Sequence, residues 1–532
     1  MAAPGDPVPT VTELLLARAD DVNPGLVFEG QRWSWKDHVQ ECADRAALLR
    51  SLRRPGPFHI GVLLDNVPDF SFLLGGAALA GAVLVGLNTS RRGEALVRDV
   101  KQADCQVVLT DSRYVELLQG LDVGARVLDI DSAAWHMTTY RHQYSPIEAA
   151  EVTADDLLML IFTSGTSGEP KPVRVTHGKI TIPGRLLAER YELGADDTVY
   201  VSMPMFHSNA IMAGWAVGLA AGARLALRRR FSASGFLADV RTLGVTYANY
   251  VGKPLSYILS TPPEKDDADN PLKVMFGNEA NPADVVEFAE RFGCRVVDAY
   301  GSTEGGITVV RPPETPAGSL GQLDDTLAVL DPDTGKPCQP GVVGELVNTA
   351  GAGMFAGYYN DSSSDAERLR DGMFWSGDLV YRDEEDFVYF VGRTSEWLRV
   401  DGENLGTAPI ERVLLRHPAV AEVAVYAVPD QAVGDQVMAA LVYREDFDPV
   451  AFASFLAAQS DLGPKQVPRF IRLTARLPRT ATFKVLKRTL SAQRWRTPDP
   501  VWWRPGPELV YEPLTPSSDP IRLDWGARSV RP

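Results

Sequence analysis

The residues best suited to chemistry form a loop rich in hydroxyl groups and glycine that follows a short apolar run. The run, Leu157 to Phe162, is brief and ends at turn-forming residues, which predicts a buried strand leading directly into the loop. The loop contains four hydroxyl side chains, two glycines and one cation, namely Thr163, Ser164, Gly165, Thr166, Ser167, Gly168 and Lys171. Glycine permits unusual backbone conformations, hydroxyls donate hydrogen bonds, and an ammonium group attracts anions. The combination suits a polyphosphate, although surface turns often share this composition.

The spacing within this loop differs from that of a Walker P-loop. In a P-loop, four residues separate the glycines, and Lys followed by Ser or Thr comes directly after the second glycine. Here two residues separate Gly165 from Gly168, and Pro172 follows Lys171. The spacing therefore argues against a mononucleotide kinase of that type.

Two later apolar runs also end in loops whose residues suit a nucleotide. The loop residues are Gly277, Asn278 and Glu279 after the first run, and Asp298, Tyr300, Gly301, Ser302, Thr303 and Glu304 after the second. In a doubly wound sheet, ligands bind beyond the carboxyl ends of the strands, where such loops emerge. Tyr300 offers a flat ring that can stack on a base, and Glu304 offers a carboxylate for a hard cation such as Mg²⁺.

Together these motifs resemble those of adenylate-forming enzymes, the superfamily of acyl-CoA synthetases, luciferase and peptide-synthetase adenylation domains. Thr163 to Lys171 is similar to the family's phosphate loop, Thr-Ser-Gly-Thr-Ser/Thr-Gly-x-Pro-Lys, and Tyr300 to Glu304 is similar to its Tyr-Gly-x-Thr-Glu signature. Near the end of the chain, Leu477 to Lys487 resembles the segment that carries the family's catalytic lysine, which Lys484 matches. Pro172 departs from the pattern, because the family usually has glycine there.

Several details resemble one branch of that superfamily, the fatty acid transport proteins and very-long-chain acyl-CoA synthetases. Phe483-Lys484 stands where most members have Gly-Lys, and Gly402-Glu-Asn, Phe276-Gly-Asn and Tyr511-Glu-Pro-Leu-Thr also match the branch. Glu279 replaces the glycine that usually follows the asparagine. The resemblance spans nearly the whole chain, and actinobacterial fatty-acyl-CoA ligases are the closest type.

The resemblance implies a role for each matched residue. It assigns Thr163 to Lys171 to the β- and γ-phosphates of ATP, Thr303 to the α-phosphate and Glu304 to Mg²⁺. It assigns further residues to the nucleotide, with the last two at the ribose hydroxyls: Gly277, Asn278, Glu279, Asp298, Tyr300, Gly301, Ser302, Asp378 and Arg393. Lys484 would stabilise the acyl-phosphate as it forms. Gly402 would make room for the pantetheine arm of coenzyme A.

The acyl pocket is predicted under the segment Phe206 to Tyr257. The candidate lining residues are His207, Ala210, Gly214, Gly218, Tyr250 and Val251. Small residues here would leave room for a long chain or a fused-ring side chain, and residue types do not determine the length of the acid.

The order of apolar and polar segments predicts an α/β protein. Ser34 and Asp37 form a capping-box pattern before an amphipathic helix, and the runs Ile60 to Leu64 and Val107 to Thr110 predict buried strands of a parallel sheet. Short strands separated by turn residues from Gly321 to Tyr389 predict a small β-barrel subdomain.

The resemblance also implies how the chain divides into domains. Residues 1–394 would form a large N-terminal adenylation domain of two doubly wound sheets plus the small β-barrel subdomain. Residues 395–532 would form a smaller, mobile α+β lid domain that carries the catalytic lysine. Ser395 stands at the position of the family's hinge.

Composition excludes several classes of function. The chain has 532 residues, 45% of them apolar and 23% charged, as is ordinary for globular domains. Its net charge of −16 argues against a general nucleic-acid-binding surface, and Arg228 to Arg230 predicts only a solvated turn. Four scattered cysteines indicate neither a disulfide framework nor a zinc site, and Met1 to Pro9 lacks the features of a secretory leader. These features favour the cytoplasm.

The most apolar stretch, Phe70 to Leu87, contains four glycines. Its length could just reach across a bilayer, but a buried helix, a glycine turn and a short strand explain it better. We therefore predict no transmembrane span, and peripheral membrane contact stays open. The sequence does not determine the oligomeric state.

The resemblance thus implies an acid–thiol ligase that uses ATP, Mg²⁺ and coenzyme A to convert a fatty acid, of long or very long chain, into acyl-AMP and then acyl-CoA. One alternative is a fatty-acyl-AMP ligase that loads a carrier protein, and another is a CoA ligase for a steroid side-chain acid. A third is a lipid-trafficking protein that binds acids without turnover, which the intact phosphate loop and Lys484 disfavour.

Overall fold

The protein forms two compact units in a computed structural model that describes residues 8–164, 169–312, 314–394, 397–400, 403–430, 434–480 and 484–515. Unit 1 contains Met1–Val309 and Ala350–Phe374, and unit 2 contains Val310–Thr349 and Trp375–Pro532. The chain therefore passes from one unit to the other three times. The division after Arg393 that the sequence suggests remains a prediction.

Unit 1 contains a sheet of six strands, and the predicted phosphate loop connects the last two of them in the chain. In spatial order the strands are Arg126–Asp129, Cys105–Thr110, His59–Leu63, Val83–Gly86, Leu157–Ser164 and Pro170–Thr176. Neighbouring strands are parallel except for the last two, which form an antiparallel pair on either side of the loop. The strand predicted from the run Leu157 to Phe162 is confirmed.

The second sheet of unit 1 has seven strands and carries the other predicted loops. In spatial order they are Arg295–Asp298, Val274–Asn278, Tyr247–Val251, Thr198–Val201, Arg224–Leu227, Pro24–Phe28 and Gln31–Ser34. All neighbours are parallel except the final antiparallel pair. The loops after Val274–Asn278 and Arg295–Asp298 therefore emerge at the same edge, the carboxyl ends of adjacent parallel strands.

The helices of unit 1 lie mostly between these strands in the chain. They are Val11–Leu16, Trp35–Leu52, Pro68–Ala80, Gly93–Gln102, Ala133–Arg141, His177–Arg190, Ser208–Ala210, Ala216–Ala221, Phe236–Leu243, Pro254–Leu259, Pro282–Phe292 and Ser362–Arg368, with a 3₁₀ turn at Val115–Leu117 and a π-helix at Ile211–Trp215. The capping box predicted at Ser34 and Asp37 is confirmed at the start of Trp35–Leu52.

The apolar stretch from Phe70 to Leu87 is a buried helix, a turn and a strand, as predicted. Helix Pro68–Ala80 ends at Gly81, whose φ of 66° lies in the left-handed region that favours glycine, and strand Val83–Gly86 follows. A Cβ added at Gly75 would lie 2.4 Å from Cys42 Sγ, so this glycine lets the helix pack closely against Trp35–Leu52. Among the described residues, no helix is long and apolar enough to cross a membrane.

Unit 2 contains an antiparallel sheet of short strands, the small β subdomain that the sequence predicts. Its strands are, in spatial order, Ser319–Gln322, Phe387–Arg393, Met373–Arg382, Gly344–Asn348 and Leu327–Leu330. Within unit 1, the short strand Leu369–Arg370 pairs with Met373 and Phe374 at the start of the third of these.

The rest of unit 2 is a mixed sheet with three helices among its described residues. Its strands run Glu403–Leu405, Leu398–Val400, Gly434–Tyr443, Phe470–Leu473, Val501–Trp503 and Glu512–Pro513, with Val420–Asp430 also paired to Gly434–Tyr443. The helices are Thr407–Leu414, Pro449–Ala457 and Lys487–Gln493. Buried apolar residues such as Ile410, Val425 and Phe452 form its core. This α+β arrangement matches the class predicted for the carboxyl end of the chain.

The three adjacent arginines, Arg228 to Arg230, are each paired with an acid. Arg228 pairs with Asp239 at 2.7 Å, Arg229 with Glu29 at 3.0 Å, and Arg230 with Asp65 at 3.1 Å. The arginines of the predicted solvated turn are therefore engaged in ion pairs.

Candidate functional site

The two motifs predicted to bind ATP meet at the carboxylate of Glu304. Thr163, near the end of strand Leu157–Ser164, donates a hydrogen bond from Oγ1 to Glu304 Oε1 at 3.4 Å. The Tyr358 hydroxyl donates to the same oxygen at 3.0 Å. The sequence placed Thr163 and Glu304 in one site, but it gave no local sign of Tyr358, which lies 54 residues after Glu304.

The surroundings of Glu304 keep its carboxylate charged. Burial raises its pKa, but the charge of Arg368, a backbone hydrogen bond, the hydrogen bond from Tyr358 and the charge of Lys179 together outweigh that effect. The net pKa is below the usual value for glutamate, so the group is ionised at neutral pH. An ionised carboxylate is the kind of oxygen ligand that Mg²⁺ prefers.

Lys179 is a further member of this cluster that the sequence reasoning missed. Its side chain is 2% exposed, and its ammonium Nζ donates a hydrogen bond to the backbone carbonyl of Glu304 at 2.6 Å. Burial lowers the pKa of Lys179 to about 8, against the opposing effect of the Glu304 charge.

A signal for Lys179 was present in the sequence. Thr176 caps helix His177–Arg190 by accepting a hydrogen bond from the backbone N–H of Lys179, which is therefore the third residue of the helix. Capping boxes favour Glu or Gln at that position, and the positive end of the helix dipole disfavours a lysine. A lysine in so unfavourable a place indicates a partner elsewhere in the fold.

Lys171, the cation of the predicted phosphate loop, forms an ion pair with Glu367 of the same unit. Lys171 is 7% exposed, and its Nζ lies 3.2 Å from Glu367 Oε2 and 5.5 Å from the centre of the Tyr358 ring. The Lys171 side chain is buried, whereas Glu367 is mostly exposed, so the ion pair lies at the surface of the protein. The residues Gly165 to Gly168 and the side chain of Ser164 lie outside the described part of the chain.

The residues predicted to hold the nucleotide gather at the ends of two neighbouring strands. Asp298 Oδ1 accepts hydrogen bonds from the Tyr250 hydroxyl at 2.9 Å and from the backbone N–H of Ala280 at 3.0 Å. Gly277 has no room for a side chain, because a Cβ there would lie 2.2 Å from the Tyr250 carbonyl oxygen. Tyr250, predicted for the acyl pocket, therefore also contacts Asp298 and Gly277, two residues predicted to bind the nucleotide.

The other residues that these two loops contribute to the predicted nucleotide site lie at the same edge of the sheet. Asn278 Nδ2 reaches the carbonyl of Gly301 at 3.5 Å, and Glu279 is exposed with a φ of 66°. Tyr300 is half-buried, whereas Gly301 and Ser302 are exposed. Thr303 Oγ1 shares a hydrogen bond of 2.8 Å with Ser208 Oγ, which links this loop to the start of the predicted acyl-binding segment.

The segment predicted for the acyl pocket contains a π-helix. The π-helix, Ile211–Trp215, holds Gly214, follows His207 and Ala210, and leads into Ala216–Ala221. Such π-turns occur frequently at functional sites. His207 is half-buried with its ring 4.5 Å from that of Phe206, whereas Val251 is buried.

Two asparagines that the sequence reasoning missed lie beside this π-helix. Asn249, 1% exposed, donates from Nδ2 to Asn209 Oδ1 at 2.5 Å, and Asn209 donates to the carbonyl of Tyr250 at 3.2 Å. A Cβ at Gly214 would lie 3.0 Å from Asn249 Oδ1. A Cβ at Gly218 would lie 2.4 Å from Leu225 Cδ2. Both glycines therefore permit close packing on the sheet, and their part in binding the acid stays a prediction.

Two of the residues predicted in unit 2, Asp378 and Arg393, pair with each other, and the structure also describes Lys484. Asp378 and Arg393 are partners on adjacent strands, with Arg393 Nε 3.3 Å from Asp378 Oδ1. The backbone N–H of Lys484 donates to Thr480 Oγ1 at 3.1 Å, and the Lys484 carbonyl accepts from the Thr480 N–H at 2.8 Å. Gly402 lies outside the described residues. Lys487, not singled out from the sequence, pairs with Glu411 at 2.9 Å.

Known proteins resemble this chain over most of its length. It matches the AMP-binding enzyme family over residues 17–359 and the AMP-binding enzyme C-terminal domain over residues 409–484. It is 54% identical to the medium/long-chain-fatty-acid–CoA ligase FadD17 of Mycobacterium marinum, over 93% of this chain and 98% of that protein. It is 46% identical to the steroid-22-oyl-CoA synthetase of Rhodococcus jostii, over 93% of this chain and 92% of that protein.

A solved structure shares the fold. The crystal structure of ATP-bound MatB from Rhodopseudomonas palustris matches with a TM-score of 0.81 at 22% identity, over 91% of this chain and 99% of that one. The chain belongs to the AMP-binding enzyme family. The resemblance predicted from the motifs and the predicted α/β fold class are both confirmed.

Proposed function

We propose that this enzyme is an ATP-dependent CoA ligase for medium- to long-chain fatty acids. The predicted class, an acid–thiol ligase, is confirmed by the family and by the relatives that are CoA ligases. The observation that carries the nucleotide chemistry is the meeting of Thr163 and Glu304, 3.4 Å apart, because it joins the two motifs assigned to ATP. The fatty-acid specificity rests on the 54% identity to FadD17.

In the first half-reaction the fatty-acid carboxylate would attack the α-phosphorus of ATP. A bond forms between a carboxylate oxygen and that phosphorus, and the bond to pyrophosphate breaks, leaving acyl-AMP. Negative charge grows on the transferring group and on the leaving pyrophosphate, so fixed cations and hydrogen-bond donors lower the barrier. Lys171 and the hydroxyls of the phosphate loop would serve the β- and γ-phosphates, Thr303 the α-phosphate, and Lys484 the forming acyl-phosphate.

Glu304 is the residue that would hold Mg²⁺. The hydrogen bonds from Thr163 and Tyr358 both end at Oε1, and the carboxylate that they align is charged. Bound Mg²⁺ would neutralise charge on the phosphate oxygens. The residues present fit this role, because the carboxylate is ionised and aligned by two neutral donors.

In the second half-reaction the thiol of coenzyme A would attack the acyl carbon of acyl-AMP. The carbon–sulfur bond forms, the bond to AMP breaks, and AMP leaves with the electron pair. In the family, the C-terminal domain turns between the two half-reactions, a form of conformational gating. The proposed site for pantetheine includes Gly402. A cytoplasmic location also stays a prediction.

A steroid side-chain acid is the second candidate substrate, because the chain is 46% identical to a steroid-22-oyl-CoA synthetase over most of its length. Both candidates use the same adenylation chemistry. They differ in the shape of the acyl group that the segment around the π-helix must accept.

A panel of acids tests the proposal. Pyrophosphate release would be measured with acids from short chains to C16 and beyond and with a steroid side-chain acid, each with and without coenzyme A. We expect the highest kcat/KM with a medium- or long-chain fatty acid and acyl-CoA as the product. A preference for the steroid acid would replace the first candidate with the second. Turnover that requires a carrier protein in place of free coenzyme A would contradict the ligase proposal.

A further inference from the structure

Lys179 holds the loop that carries Glu304 from a buried position. Its Nζ lies 2.6 Å from the Glu304 carbonyl oxygen and 3.5 Å from the Arg174 carbonyl oxygen. With 2% exposure, the side chain has little water to replace these acceptors. A buried ammonium group whose acceptors are lost would be costly, so the contact keeps the loop in place.

The loop at this point has little freedom to find another position. Gly305 adopts a φ of 68°, its carbonyl accepts a hydrogen bond from Met354 N–H at 3.0 Å, and a Cβ there would lie 3.0 Å from Lys179 Cε. The backbone of Glu304 and Gly305 is therefore fixed from two sides, by Lys179 and by the segment around Met354. The Glu304 side chain is aligned separately by Tyr358.

We propose that Lys179 is a positioning residue for metal binding, which fixes the backbone of Glu304 so that its carboxylate can bind the Mg²⁺ of MgATP. The inference rests on the proposed function, since it concerns the same nucleotide site. Lys179 contacts neither substrate nor metal, and it acts through Glu304. Substitution of groups that orient metal ligands typically weakens metal binding by roughly 10- to 100-fold.

The first test measures metal binding without turnover. Mn²⁺ replaces Mg²⁺, a non-hydrolysable ATP analogue is present at saturation, and free Mn²⁺ is counted by electron paramagnetic resonance. Lys179→Met keeps the length and apolar stem of the side chain but removes its donors. We expect this variant to bind Mn²⁺ roughly tenfold or more weakly than the wild type. Lys179→Arg keeps a buried donor and should recover most of the affinity.

The second test follows the metal dependence of adenylation. The Mg²⁺ concentration that gives half-maximal pyrophosphate release should rise in Lys179→Met by a similar factor and return towards the wild-type value in Lys179→Arg. Lys273→Met is the matched control, because Lys273 pairs with Asp197 at 2.9 Å in the same unit and does not contact Glu304. That control should keep both Mn²⁺ affinity and Mg²⁺ dependence.

Three results would overturn the inference. One is a Lys179→Met protein with wild-type Mn²⁺ affinity. Another is an arginine variant as impaired as the methionine variant while both melt at the wild-type temperature. The third is a loss of Mn²⁺ affinity in Lys273→Met equal to that in Lys179→Met, which would indicate a general effect on the unit.

If Lys179→Met does not fold, Lys179→Gln serves in its place. A wild-type enzyme that releases no pyrophosphate with any acid would instead refute the proposed function.

Discussion

At the scale of single residues, Glu304 makes the sharpest prediction. Glu304→Gln keeps the size of the side chain and an acceptor for Tyr358 but removes the charge that a hard cation prefers. We expect slower pyrophosphate release and a higher Mg²⁺ requirement, measured by titrating Mg²⁺ at saturating ATP and acid. An unchanged titration curve would mean that a different carboxylate binds the metal.

His177 is one residue whose protonation should couple folding to pH. Its side chain is 1% exposed, and its Nδ1 accepts a hydrogen bond from the Val11 N–H at 3.2 Å, so the neutral ring is required. Burial lowers its pKa from 6.5 to about 4, although the charges of Asp156 and Glu13 oppose this. In the unfolded chain the same group titrates near its ordinary value.

The direction of the pH effect follows from that difference. Between about pH 6.5 and 4 the unfolded chain binds a proton that the folded protein does not, so stability falls as the pH falls through this window. From about pH 7.5 to about pH 5.5 this group should cost about 1.3 kcal/mol of unfolding free energy. Urea unfolding at both pH values measures the loss. His177→Asn, which keeps an acceptor but does not titrate, should show a smaller loss by that amount. An equal loss in both proteins would contradict the assignment.

At the scale of elements, the helix that carries Lys179 depends on one close crossing. A Cβ at Gly184, in helix His177–Arg190, would lie 2.8 Å from the backbone of Ala216 in helix Ala216–Ala221. Backbone atoms cannot move aside as the end of a side chain can, so Gly184→Ala should push the helices apart.

We expect Gly184→Ala to destabilise the protein by about 1 to 3 kcal/mol, as overpacked cores are. Thermal unfolding measures this, with Gly194→Ala as the control because a Cβ there would meet no atom within 4 Å. Alanine favours helix formation over glycine by about 1 kcal/mol. A Gly184→Ala protein that is about 1 kcal/mol more stable than the wild type would therefore show that the crossing adapts without cost.

The elements themselves were largely predictable because their signals are local. The apolar run before the phosphate loop, the capping box at Ser34 and the glycine turn at Gly81 each depend on neighbours in the chain, and all three predictions are confirmed. Family motifs extended this to the candidate site, where Thr163 and Glu304 do meet. The functional roles given to these residues stay predictions.

The missed residues act over long distances in the chain. Lys179 precedes Glu304 by 125 residues, and the Asn249–Asn209 pair spans 40. Their partners are determined by how strands and helices pack, which local patterns do not reveal. A lysine at the third position of a helix was the one visible sign, because it conflicts with the local preference.

At the scale of the whole molecule, the predicted catalytic residues belong to different units. Glu304 is part of unit 1, whereas Lys484 is part of unit 2. If Lys484 serves only the first half-reaction, the two half-reactions should separate in a variant that lacks its ammonium group.

Lys484→Ala should slow pyrophosphate release by roughly 100- to 1000-fold, since an electrostatic stabiliser of the transition state is removed. Thioester formation from supplied acyl-adenylate and coenzyme A should survive. Lys487→Ala is the control from the same segment, because Lys487 is engaged with Glu411 and Thr407, and it should adenylate normally. An equal loss of both half-reactions in Lys484→Ala would refute the assignment.

The passage of the chain between the two units determines the order in which the residues of the proposed nucleotide site are synthesised. Unit 1 needs Ala350–Phe374, which the ribosome makes only after the forty residues Val310–Thr349 of unit 2. Glu304 therefore leaves the ribosome before Tyr358, the hydroxyl donor 54 residues downstream that aligns its carboxylate. A nascent chain halted before Ala350 carries Lys179 and Glu304 without Tyr358. Unit 1 must accordingly finish folding after part of unit 2 has already been synthesised.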